Sequence, residues 1–235
     1  MSEENLIAAV DISRIATQAI ANSKKILHYG AGNIIQDIIS SESQSLGRAD
    51  YARDLYKKVD RDNLNELEKI QLRACVARIA EGGFCYEYSS LIFLELMQST
   101  KGLQIQLCRL KMIINEGDYH VFVRILMEDS EDIIVDAWGD NYEIIYFNNW
   151  TDKSRNDLII TIYQDTTRGV RISDKEIMSS IKQLSLYKST QKALLKYMKY
   201  NNTEHPLKSK ENLEDLEFGF VGARLKIVYP DPYLK

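Results

Sequence analysis

The chain predicts an α+β fold. Three features carry that expectation. Apolar residues recur at helical spacing through the first third of the chain, the period drops to two across the middle, and helical spacing returns after Ser173. All three prolines stand at position 206 or later, so none interrupts the central strands.

The elements follow in order. From Glu3 to Leu27, Leu6, Val10, Ile15 and Ile20 recur at helical spacing, with Gly30 and Gly32 as stops. Asn33 to Ser40 and Ala49 to Val59 read as shorter helices, with the polar stretch Ser40 to Ser45 as a loop between them. Asn63 to Ala80 is a clearer helix with Leu64, Leu67, Gln71, Ala74 and Arg78 along one face. Gly82-Gly83 is expected to end it through a left-handed C-cap. Tyr86 to Gln98 is helical, with Leu91, Phe93, Leu94 and Met97 for burial. Ile105 to Ile114 alternates, with Leu107, Arg109 and Lys111 on one side and Cys108, Leu110 and Met112 on the other. After a turn at Gly117-Asp118 come strands at His120–Met127, Ile133–Ala137, Tyr142–Phe147 and Leu158–Gln164. Their short links favour antiparallel pairing. Ser173 to Lys199 reads as a long helix opened by a capping box of Ser173 and Glu176. Its lysines 175, 182, 188 and 192 form a solvated face. Arg224 to Val228 is a last strand. The chain thus divides into an N-terminal helical region, 1–81, and an α+β core, 82–235, in one compact unit.

Composition narrows the function. The 235 residues are 45% hydrophobic and 27% charged, and the net charge of -4 is too mild to name a partner. No basic block points to nucleic acid, and no apolar run is long enough to cross a membrane. The start Met1-Ser2-Glu3-Glu4 has no secretory-signal pattern. Three cysteines, an odd count, fit reduced thiols and a cytosolic fold better than a disulfide framework. No Walker or GxGxxG pattern and no cysteine or histidine pairs at zinc spacing occur, so no cofactor or metal is expected.

Cys85 is the candidate nucleophile. It follows Gly82-Gly83-Phe84 and opens a helix, whose free N–H groups and partial positive charge favour a thiolate and can receive an oxyanion. His120 starts an apolar strand and would hold the proton. Asp136 ends the strand Ile133-Ile134-Val135 and would fix the imidazole. If those strands pair, both side chains share one end of the sheet. Trp138 would cover their hydrogen bond, Glu87 would accept a hydrogen bond near the nucleophile or support the helix start, and Tyr86 flanks the thiol. Cys75, in a helix, and Cys108, in a strand, read as core residues. His28 and His205 have no motif around them.

The segment Gly83-Phe84-Cys85-Tyr86-Glu87-Tyr88-Ser89 resembles the papain-family nucleophile motif. Asp118-Tyr119-His120-Val121-Phe122-Val123 is similar to the histidine strand. Asp136-Ala137-Trp138-Gly139 is similar to the Asn-Ser-Trp-Gly segment, with Asp in place of Asn. The nearest patterns are bacterial secreted effectors with Cys-His-Asp triads, both cysteine proteases and glutamine deamidases. The resemblance implies a papain-like or transglutaminase-like core and a thiol protease, deamidase or transglutaminase acting on a protein. For the effectors that protein belongs to a host, and delivery needs no secretory signal. Ile79 stands where the family carries its oxyanion glutamine, Gln71 lies farther upstream, and Cys85 and His120 are close in sequence, which favours the compact transglutaminase-like topology. Two readings rival it: a binding protein on the same scaffold with an inactive triad, and a helical interaction module.

Overall fold

A computed structural model describes residues 3–59, 61–62, 64–111, 119–128, 131–137, 144–147, 159–169, 218–221 and 224–227. The architecture is α+β. Five helices, α1 (Glu3–Ile26), α2 (Ile35–Ser40), α3 (Gln44–Lys58), α4 (Glu66–Ala80) and α5 (Cys85–Ser99), precede the strands. β1 (Lys101–Lys111), β2 (Tyr119–Leu126), β3 (Ile133–Val135), β4 (Ile144–Tyr146) and β5 (Ile159–Arg168) form one antiparallel sheet in the order β4-β3-β2-β1-β5. β6 (Phe218–Val221) and β7 (Arg224–Ile227) make a separate antiparallel pair. The long helix read at Ser173–Lys199, its capping box and the turn at Gly117-Asp118 lie outside the described residues.

α5 is the central element. Eleven of its fifteen residues are buried. Leu91, Ile92, Phe93, Leu94, Leu96 and Met97 pack with Ile105 and Leu107 of β1, Val121, Val123 and Ile125 of β2, and Ile133 and Val135 of β3. Each large side chain so buried contributes roughly 1.5–3 kcal/mol. From α1, Ile12, Ala16, Ala19 and Ile20 join the same core. The opposite sheet face buries Cys108, Leu110, Phe122 and Ile134. β2 is therefore covered on both faces, which explains its consecutive apolar residues Val121, Phe122 and Val123. A satellite core of Tyr51, Leu55, Tyr56, Leu72, Cys75 and Val76 joins α3 to α4.

The helix boundaries differ from the expected ones for local reasons. α3 begins at Gln44, because Glu42 and Ser43 take left-handed conformations (φ 52° and 68°) and turn the chain within three residues of α2. α4 begins after Asn65, whose side chain accepts from the Glu68 N–H at 2.9 Å while Glu68 accepts from the Asn65 N–H at 2.8 Å. The left-handed C-cap is Glu81 (φ 56°), not a glycine. Arg48 holds that less favoured conformation by donating to the Ala80 carbonyl at 2.9 Å and to Glu81 at 3.0 Å. Gly82 and Gly83 serve close approach instead. A Cβ on Gly82 would lie 2.8 Å from Cβ of Arg48, and one on Gly83 would lie 2.5 Å from Cβ of Glu87.

Candidate active site

The path of the chain brings His120 and Asp136 together at one end of the sheet, and the first turn of α5, which carries Cys85, is fastened to the same strand as His120. α5 reverses directly into β1, where the Thr100 N–H and hydroxyl close the helix on the Leu96 carbonyl at 3.2 and 2.8 Å. The start of α5, with Cys85, therefore lies toward the end of β1. That end pairs with the start of β2, Leu110 opposite His120. β3 runs back along β2 with Val135 opposite Val123, so Asp136 comes level with Phe122, next to His120. One turn into α5, the Ser89 hydroxyl donates to the Val121 carbonyl at 2.8 Å and fastens the nucleophile helix beside the histidine.

His120 Nε2 and Asp136 Oδ2 are 2.7 Å apart, and the two side chains are only 2% and 7% exposed. This is a buried, charge-assisted contact that fixes the imidazole orientation. It commits Nε2 to the carboxylate, so Nδ1, also buried, is the other proton-carrying position of the ring. The ring stacks on Phe122, with centroids 6.2 Å apart and planes 20° apart. Strand alternation accordingly groups His120 and Asp136 with the face of Phe122, whereas Cys85 packs in the core on the α5 face and is 8% exposed.

The residues flanking Cys85 are tightly held. Glu87 accepts from the Phe84 N–H at 3.0 Å and so caps the start of α5. Its other oxygen accepts from Arg73 at 3.0 Å. The Arg73 guanidinium lies between the rings of Tyr56, 3.9 Å, and Tyr86, 3.8 Å. Burial alone would lower the pKa of Arg73, but Glu87 and the two tyrosines hold it above its ordinary value. Burial pushes Tyr86 up to about 12 despite the neighbouring Arg73, so it remains a neutral phenol. Glu87 thus has the helix-supporting role, and Tyr86 is a wall for Arg73. Trp138 lies outside the described residues. Gln71 is buried within α4.

Cys75 and Cys108 are buried thiols outside any disulfide, as expected of core residues. Desolvation pushes Cys108 up to about 11. Sequence reasoning missed Arg73, the Ser89–Val121 bond and the bridge between Ala31 and Gly83, in which the Gly32 N–H donates to the Gly83 carbonyl at 3.1 Å. The last of these makes the segment after α1 a direct neighbour of the nucleophile loop. No described helix is long and apolar enough to cross a membrane. In comparisons with protein-family models, curated proteins and solved structures, nothing matches the chain.

Proposed function

We propose that the chain is a cysteine-dependent amidohydrolase or acyl-transfer enzyme acting on a protein, with a papain-like or transglutaminase-like core and Cys85, His120 and Asp136 as its triad. The observation that supports this most is the buried His120–Asp136 contact of 2.7 Å at the sheet end beside the start of α5. In the proposed reaction the Cys85 thiolate attacks an amide carbonyl, and N–H groups at the start of α5 receive the oxyanion. The His120 imidazolium, oriented by Asp136 through Nε2, gives its Nδ1 proton to the departing amine or ammonia. The C–N bond breaks and a thioester remains. Water resolves it to a carboxylate, or an amine resolves it to a new amide. A backbone amide makes the enzyme a protease, and a glutamine side chain makes it a deamidase or transglutaminase. A bacterial effector delivered to a host is the setting that best joins this chemistry to reduced thiols.

One observation favours a second reading. Cys85 is enclosed in apolar packing while the His–Asp pair sits with Phe122, an arrangement that also suits a binding protein with an inert thiol. Iodoacetamide labelling near neutral pH separates the two. The enzyme reading expects Cys85 to react at least about tenfold faster than Cys75 and Cys108, and to slow in His120→Ala. Equal or absent labelling of Cys85 selects the binding protein. Mass spectrometry of protein mixtures treated with wild type and Cys85→Ala then assigns the reaction: glutamine converted to glutamate, a crosslink, or a new chain terminus.

A further inference from the structure

β1 outruns the helix that covers it. The 15 residues of α5 span about 22 Å and the 11 residues of β1 about 36 Å, and the strand doubles back directly from the end of the helix. About the last four residues of β1 therefore project past the start of α5. Alternation puts Arg109 and Lys111 on the face that carries Ile105 and Leu107, and there the cover ends: Ile105 and Leu107 are fully buried, Arg109 is half-buried and Lys111 is exposed. The neighbouring strands widen this shelf. Tyr119 shares the face of Val121 and stands opposite Lys111. Ile160 stands opposite Arg109, while its neighbour Ile159 packs into the other face of the sheet. Tyr119 is 42% exposed and Ile160 is 44% exposed, two of the three large apolar side chains so exposed among the described residues, so the apolar exposure is concentrated here. The shelf adjoins the nucleophile, because Tyr119 is close enough to Tyr86, the residue after Cys85, to affect its ionisation.

We propose that this shelf docks an extended segment of the protein substrate in which an acidic side chain is flanked, two residues away on each side, by large apolar ones. As a substrate site it rests on the amidohydrolase reading, to which it adds the sequence preferred near the reacting amide. Arg109 supplies the charge. Its guanidinium lies 5.5 Å from the centroid of the Tyr119 ring, a loose cation–π contact, and no carboxylate among the described residues pairs with it or with Lys111. Glu66, which also bears on Tyr86, is taken by Lys69 at 2.7 Å. The chain as a whole carries a net charge of -4, so the two cations complement an acid here against the overall charge. Ile160 and Tyr119 stand on either side of β1, two strand spacings or about 10–12 Å apart. In an extended segment, side chains two residues apart share a face at about 7 Å, so the pattern apolar-x-acid-x-apolar spans about 13 Å and sets the acid over Arg109. A nucleic acid fits less well, because two cations neutralise few phosphates and Ile160 offers no ring on which a base can stack.

The test is NMR titration of the full chain with the peptide acetyl-Ser-Leu-Ser-Glu-Ser-Phe-Ser-amide and with counterparts that carry glutamine or lysine for the glutamate, or alanine for both the leucine and the phenylalanine. The glutamate peptide is expected to shift the amide signals of Arg109, Tyr119 and Ile160 and to bind about tenfold more tightly than the glutamine peptide, the worth of one charge-assisted hydrogen bond. Arg109→Gln should remove that preference, and Arg109→Glu should reverse it toward the lysine peptide. Lys111→Glu, at an exposed position that leaves the core intact, should weaken the glutamate peptide by about threefold or more. Ile160→Ser should weaken both the glutamate and the glutamine peptide and keep the ratio between them. Equal binding of the glutamate, glutamine and lysine peptides overturns the proposal, as does the absence of any shift, the result expected if a segment of the chain itself covers the shelf. Signals that move with protein concentration alone would give the shelf to a second copy, and tighter binding of a ten-residue oligouridylate would give it to nucleic acid; both overturn the proposal. Selective peptide binding with an unreactive Cys85 would reject the enzyme reading alone, and a reactive Cys85 without selective binding would reject the docking shelf alone.

Discussion

Removing Glu87 should be among the most damaging single changes in the chain, although the residue need not touch a substrate. Its side chain is 3% exposed, and its two oxygens serve Arg73 and the Phe84 N–H at 3.0 Å each. In Glu87→Ala the guanidinium of Arg73, 17% exposed, loses its counter-charge while buried. Breaking a buried pair from one side costs about 3–5 kcal/mol. The rings of Tyr56 and Tyr86 offset part of that, each by roughly 0.5–2 kcal/mol. The orphaned Phe84 N–H adds about 1 kcal/mol. The expected total is about 2–3 kcal/mol. Glu87→Gln keeps an acceptor for Phe84 and should cost about 1 kcal/mol less. Arg73→Met should cost about as much as Glu87→Ala, because it strands the carboxylate instead. The double variant Arg73→Met/Glu87→Gln removes both charges, so it should lose at least about 2 kcal/mol less than the sum of its singles. Urea unfolding followed by far-UV circular dichroism gives these values from midpoints at constant slope. A Glu87→Ala cost below about 1 kcal/mol, or additive singles, would refute the view that this pair anchors the start of α5.

Three further outcomes follow from the same structure. Gly83→Ala should destabilise by about 1–3 kcal/mol in the same unfolding assay, because its Cβ would lie 2.5 Å from Cβ of Glu87, an atom that cannot swing aside. Asn65→Ala should cost about 1 kcal/mol by deleting the cap of α4, and Asn65→Asp should restore most of it, since aspartate caps equally well. Cys108 supplies a pH test. Burial raises its folded-state pKa to about 11, above the ordinary thiol value near 9, so the stability it contributes is complete below about pH 9 and is lost as pH rises toward 11. The cost of Cys108→Ala should therefore shrink by about 2 kcal/mol between pH 8 and pH 10.5; a cost that does not change with pH would contradict the burial.

What the sequence revealed, it revealed through local signals. Period-two alternation from Ile105 located β1 four residues after its observed start at Lys101, and the run His120 to Met127 located β2 within one residue at each end. Cys85 at a helix start and the pairing of the histidine and aspartate strands were both legible, because each depends on neighbours a few positions away. The end of α4 at Ala80 was legible, but its left-handed cap was assigned to Gly82-Gly83 because a glycine is the usual residue there, whereas here Arg48, more than thirty residues upstream, stabilises Glu81 in that conformation. Arg73 escaped notice for the same reason. Nothing around it in the sequence marks it, and its partners come from α3 and α5. The strand at Phe218–Val221 was not expected either, since its glycine weakens the alternation.

The long-range contacts also change what the N-terminal helices are for. Read from sequence, residues 1–81 form a helical region set before a core that begins at position 82. In the fold, α1 supplies core residues beneath α5, the segment after α1 bridges to Gly83, and α4 delivers Arg73 to Glu87. The last two of these contacts fall within two residues of Cys85. The backbone at a helix start can stabilise a thiolate or an oxyanion only if its N–H groups stay aimed at one point. The sheet fixes one side of that point through Ser89 and Val121. The other side is fixed by helices that precede the nucleophile in the chain. Deleting residues 1–81 should therefore leave α5 with an exposed apolar face and Glu87 without Arg73, rather than free a smaller, self-sufficient catalytic unit.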